Sequence, residues 1–116
     1  MILAAVRDLL FRSKIEAAAR RLGVELAFAP RDAPLSAAAR GRPPALVLAD
    51  LGEAGAMDEL RAIRSELPGV RIVGYLGHLR TELRDEALGL GVEDVLTRGQ
   101  LAASLDDVLL RGTARS

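Results

Sequence analysis

The chain has 116 residues, enough for one core and too few for two, and its 50% apolar and 28% charged content is that of a folded globular domain. Sixteen basic residues balance sixteen acidic ones, and aromatics make up 3% with no Trp; a nucleic-acid or anionic-membrane binder needs a positive excess, and a single-strand binder needs stacking rings. The absence of Cys and the presence of one His, His78, close thiol chemistry, disulfides and Cys- or His-built metal centres, so the composition points away from an enzyme.

The opening apolar run, residues 2–6, lacks a basic start and is too short for a secretory core or a membrane span, so the sequence reads as cytoplasmic. Residues 8–22 carry Phe11, Ile15, Ala18, Ala19 and Leu22 at helical spacing. Val24, Leu26 and Phe28 then alternate as in a half-buried strand; a loop at 30–34 and an Ala-rich helix at 35–40 follow. Residues 45–49 are continuously apolar, as in a strand covered on both faces, and the run stops at Asp50.

After a Gly-containing loop at 51–56, Met57, Leu60, Ile63 and Leu67 mark a helix whose positive end suits Asp58 and Glu59, and Pro68-Gly69 stops it. A strand at 70–76, a helix capped by Thr81 and carrying Leu83, Ala87, Leu88 and Leu90, a strand at 92–97 and one last helix through Leu101, Leu105, Val108 and Leu109 complete the series. Gly23, Gly41, Gly69, Gly91 and Gly112 each follow a helical stretch and read as C-caps. No linker or repeat divides the chain, which predicts a single domain over 1–116 with no attached output domain and residues 112–116 as a frayed tail.

Five strand-then-helix units predict a doubly wound α/β fold, a parallel sheet with helices on both faces. In such sheets the site lies outside the carboxyl ends of the strands, which directs attention to residues 6–8, 50–52, 76–78 and 97–99. Asp50, a carboxylate directly after an apolar strand, is either a cap or ion-pair member, or a nucleophile or metal ligand. Arg7 and Arg98 are the cations within reach, and Asp8 is the second carboxylate. His78 reads as a surface residue, Arg20, Arg21, Arg40 and Arg42 as solvated helix ends, and neither a Walker pattern nor GxGxxG is present.

Ala-Leu-Val-Leu-Ala-Asp-Leu at 45–51 and Gly-Val-Glu-Asp-Val-Leu-Thr-Arg at 91–98, at this spacing, resemble the receiver domain of two-component response regulators. The resemblance runs from Ile2 to about Leu110 and implies a five-stranded flavodoxin-like sheet of order 2-1-3-4-5. It places Asp50 at the phosphoacceptor position, Val6 and Arg7 where the family holds its metal with two acids, and Leu76 where it has Thr or Ser. Gly77 matches the small residue that follows, Arg98 replaces the family's Lys, Gly99 its Pro, and Val95 its aromatic switch.

Phosphoryl transfer to a carboxylate uses a metal ion held by oxygen ligands; Val6 offers no ligand, Arg7 brings a fixed positive charge, and Leu76 lacks a hydroxyl. The expectation is a degenerate receiver without catalytic residues, metal or cofactor. In it Arg7, Arg98 or both pair with Asp50 as a built-in counter-ion, and removal of that partner costs about 3–5 kcal/mol. Three readings follow. The first is a phosphorylation-independent signalling or scaffold module that contacts another protein, or a second copy of itself, through Arg84, Leu88, Val95 and residues 100–110. The second is a Mg²⁺-dependent phosphoacceptor in which Asp8 substitutes for the missing acid. The third is a domain whose Arg7 and Arg98 bind a small anionic ligand.

Overall fold

In the computed structural model, which describes residues 1–78 and 80–113, the first apolar run forms β1 (Ile2–Ala5) and leads into α1 (Leu9–Leu22). Asp8 caps α1 by accepting from the Phe11 amide at 3.1 Å, and Gly23 closes it in the left-handed conformation at φ 71°. The chain continues through β2 (Leu26–Phe28), α2 (Leu35–Gly41), β3 (Leu46–Asp50), α3 (Ala56–Glu66), β4 (Arg71–Leu76), α4 (Thr81–Leu90) and β5 (Asp94–Thr97). It ends with α5 (Arg98–Ala103) and α6 (Leu105–Arg111).

The five strands form one parallel sheet in the order β2-β1-β3-β4-β5, as the resemblance implies. Alternate residues of each strand serve opposite cores. Ile2, Ala4, Leu46, Leu48, Val73 and Tyr75 pack with Phe11, Ile15, Leu101, Val108 and Leu109 under α1, α5 and α6. Leu3, Val47, Ala49, Ile72 and Leu76 pack with Ala39, Leu60, Ile63 and Ala87 under α2, α3 and α4. Both faces of β3 are therefore covered, the condition that its unbroken apolar run predicts.

Several local expectations are corrected. The last helix is two: Ser104 leaves helical geometry at φ −115° and ψ 21°, and its hydroxyl bonds the Gln100 carbonyl at 2.8 Å, a bond of the kind that accompanies helix bends. Arg80 occupies the cap position of α4 without a side-chain bond, and Thr81 is the helix's first residue. Of the five glycines read as C-caps, Gly23 and Gly91 take the left-handed conformation; the third glycine at positive φ is Gly55, at the start of α3.

Gly112 belongs to the fold rather than to a frayed tail: it is buried, and an added Cβ would stand 2.3 Å from Ile2 Cγ1. Its amide bonds the Leu109 carbonyl at 3.0 Å. The rest of that expected tail, residues 114–116, lies outside the described residues.

Candidate functional site

The carboxyl ends of β1, β3, β4 and β5 bring Arg7, Asp8, Asp50, Gly77 and Arg98 to one edge of the sheet. Asp50 is the last residue of β3 and is half-buried. Its Oδ1 accepts from the Gly52 amide at 2.9 Å, the local bond by which an aspartate organises its own turn. Gly52 suits this approach, because a Cβ there would stand 3.3 Å from that oxygen.

No arginine pairs with Asp50 among the described residues, which corrects the expected counter-ion. Arg7 is exposed and turns to Glu53, Nε to Oε1 3.1 Å, while Arg98 reaches Asp8, NH1 to Oδ2 2.7 Å. The physical reason lies in exposure and local bonding: a half-buried carboxylate held by a backbone amide and open to water does not require an ionic partner. The cost once attached to losing Arg7 therefore falls to that of a surface pair.

Asp8 has both carboxylate oxygens engaged, Oδ1 by the Phe11 amide and Oδ2 by Arg98. The Phe11 amide first, and then the positive charge of Arg98, hold its carboxyl below the ordinary aspartate range against the opposing effect of partial burial. Arg98 lies over the Phe11 ring, guanidinium carbon to centroid 5.6 Å, at the start of α5. That start is fixed by Thr97, whose hydroxyl accepts from the Gln100 amide at 3.1 Å while the Gln100 side chain accepts from the Thr97 amide at 2.9 Å.

Beneath these groups lies Tyr75, which the sequence reading passed over as one more residue of an apolar strand. It stands in register beside Asp50, is fully buried, and meets Phe11 edge-on at 5.4 Å and 71°. Its hydroxyl has no hydrogen-bond partner among the described residues. Burial, reinforced by the negative charge of Asp50, pushes the phenol above the ordinary tyrosine range. The available signal was positional: the one Tyr of the chain directly precedes the last residue of a strand that ends at the searched edge.

Leu76 is buried in the core under α2, α3 and α4, so it presents neither a hydroxyl nor an exposed side chain to this edge. Gly77 and His78 follow it exposed. Val95 is also buried, under α4, which removes it from the contact face read in the sequence; Arg84 and Leu88 remain exposed there, whereas Leu101, Leu105, Val108 and Leu109 are core residues. Of the four arginines read as solvated helix ends, three also make exposed ion pairs: Arg21 with Asp106, Arg40 with Glu66, and Arg42 with Glu25.

The residues at the end of β1 do not fit the divalent cation that the resemblance implies. Val6 is apolar, Arg7 is cationic and Asp8 has both oxygens committed; no cluster of three His, Cys, Asp or Glu side chains able to hold a metal occurs among the described residues. No helix among the described residues is long and apolar enough to cross a membrane.

No protein-family model and no curated protein matches the sequence. Solved structures do match the fold. The receiver domain of NtrX from Brucella abortus is 26% identical over the full length of both chains, with a TM-score of 0.82. The receiver domain of the putative response regulator NarL from Mycobacterium tuberculosis is 18% identical, covering 98% of this chain and 96% of that one, with a TM-score of 0.80. A response regulator from Burkholderia pseudomallei, solved with a phosphorylated aspartic acid and a calcium ion, is 15% identical. That match covers 93% of this chain and 65% of that one, with a TM-score of 0.79, so the chain spans under two thirds of that regulator.

Proposed function

We propose that this chain, receiver-like in fold, is a signalling or scaffold module that works without phosphorylation, through contacts with another protein or with a second copy of itself. The observation that carries the reading is the 2.7 Å pair between Arg98 and Asp8. The one acid at the end of β1 is bound by a permanent cation and by the cap of α1, so a metal ion would have to compete with both for its oxygens. The Burkholderia pseudomallei regulator carries a phosphorylated aspartic acid and a calcium ion on this fold. In this chain Asp50 stands at the end of β3, and Val6 and Arg7 at the end of β1 offer no carboxylate to a metal ion. The same facts weigh against the reading in which Asp8 rescues Mg²⁺ binding.

The contact face combines Arg84 and Leu88 of α4 with the exposed residues of α5 and α6. One residue of α4, Ala87, is buried, and Leu88 is 40% exposed, so α4 offers apolar surface to a partner. A chain of this kind needs no cofactor and operates in the cytoplasm.

The test is a titration of the ¹⁵N-labelled chain with beryllofluoride, a phosphoryl mimic, in the presence and absence of Mg²⁺. The expected result is no Mg²⁺-dependent shift of the amides around Asp50, Gly52 and Gly77. Saturable, metal-dependent shifts there overturn the reading in favour of a working phosphoacceptor.

A further inference from the structure

A cleft of about 170 Å³ opens beside the ends of β1 and β3, walled by the loops that follow β2 and β3. It lies where the strand order reverses, with β2 on one side of β1 and β3 on the other, the position at which open α/β sheets bind small molecules. Neither Asp8 nor Arg98 lines it, although Asp50 does. Its apolar walls are chiefly Ala and Pro side chains from the strand ends and from residues 29–34 and 54–56. A volume of this order is that of a benzene-sized body, so a compact group with an apolar side fits the open cleft against its alanine and proline walls.

The charged lining is three guanidiniums, Arg7, Arg12 and Arg31, and three carboxylates, Asp50, Glu53 and Glu59. Every carboxylate already has a donor: Glu53 takes Arg7, Glu59 takes the Ser36 amide at 2.8 Å, and Asp50 takes the Gly52 amide. Two of the guanidiniums have no acceptor among the described residues. Arg12 is held over the Phe28 ring at 4.4 Å, a contact with its face that leaves its edge N–H groups available, and Arg31 projects from the exposed β2–α2 loop. The unsatisfied capacity of the cleft is therefore donor capacity on two fixed positive charges, the arrangement that recognises a carboxylate or phosphate.

We propose that this cleft binds a small organic anion: a phosphate or carboxylate held by Arg12 and Arg31, on a compact apolar body seated against the alanine and proline walls. Recognition at this place would make a small molecule a regulator of the module, because the ligand would tie the β2–α2 loop to the ends of β1 and β3.

The experiment is a titration of the full ¹⁵N-labelled chain with phenylphosphonate and, separately, with benzoate. Neither can transfer a phosphoryl group to Asp50. The expected result is saturable shifts of amides in residues 29–35 and 52–56, with affinity about ten-fold or more weaker in Arg31→Ala and partly restored in Arg31→Lys. Because Arg31 is an exposed loop residue, the variant's unchanged melting temperature shows that it folds. A response to phenylphosphonate alone assigns a phosphate ligand, and a response to benzoate alone a carboxylate. Absence of saturable shifts with both probes, shifts centred instead on Phe11 and Arg98, or equal affinity in Arg31→Ala each overturn the proposal.

Discussion

Tyr75→Phe should make this protein more stable, although it deletes a polar group from the middle of the sheet. The Tyr75 side chain is fully buried and its hydroxyl has no partner among the described residues. A hydroxyl taken from water without a compensating bond costs about 1–3 kcal/mol. Phe keeps the ring, its edge-on contact with Phe11 at 5.4 Å and its place in the core, and removes only the stranded oxygen. The expected gain is about 1 kcal/mol, or roughly 4 °C or more in Tm for a domain of this size. Urea denaturation checks it, as a rise in the midpoint at unchanged slope. Tyr75→Leu supplies the control, because it discards the aromatic contact, worth about 0.5–1.5 kcal/mol, together with the hydroxyl. A Phe variant about 1 kcal/mol less stable than the parent refutes the reasoning, since it would mean that the oxygen makes a bond in solution worth more than its burial costs.

The same phenol sets an alkaline limit. Burial raises its pKa in the folded chain, whereas the unfolded chain ionises near the ordinary value of about 10; above that pH the unfolded state holds fewer protons, so stability should fall as pH rises. Because the chain has one Tyr and no Trp, ultraviolet titration reads this group directly, and ionisation at the ordinary pH in the folded protein contradicts its burial. At the acid end, hydrogen bonds from Arg71 and then Arg111 hold Glu93 below the ordinary glutamate range, and Asp8 is depressed as well. The stability that these carboxylates contribute should be present above their unfolded pKa values and lost as pH falls through the folded ones, which thermal melts at a series of acid pH values would show. Arg7→Ala should change stability by less than about 1 kcal/mol, because the Arg7–Glu53 pair is exposed, whereas Thr97→Ala should cost about 1 kcal/mol through loss of the cap on α5; equal melts for the two variants contradict this ranking. Gly112→Ala should lower Tm by several degrees, since its Cβ would meet Ile2 at 2.3 Å and overpacking costs about 1–3 kcal/mol; an unchanged melt denies that α6 is seated on β1.

What was legible was where the strands end. Hydrophobic period placed the strand ends, and the rule for parallel sheets then selected residues 6–8, 50–52, 76–78 and 97–99 without any coordinates. Which charges meet was not legible. Asp50, Arg7, Arg98 and Asp8 all lie at that edge, and several pairings satisfy the sequence equally. The cap geometry of α1 turns Asp8 toward the start of α5, where Arg98 waits over Phe11, while the turn after β3 gives Asp50 an amide and brings Glu53 to Arg7. Arg12 and Arg31 escaped notice for a different reason: the searched strand ends did not include that of β2, three residues before Arg31, and Arg12 on α1 joins it only because α1 and the β2–α2 loop flank one cleft.

Composition, period and punctuation alone determined the parallel α/β architecture, the lack of any Cys, and the placement of one aspartate at the end of a doubly covered strand. These properties depend on residues near in sequence, where apolar spacing dictates the element and its buried face. Tertiary structure decided the rest: the partners of each charge, the interior positions of Val95 and Gly112, the break at Ser104, and the stranded hydroxyl of Tyr75. Long side chains cross ångströms that no spacing rule encodes, so a guanidinium is assigned to its carboxylate only once the helices and loops around it are packed.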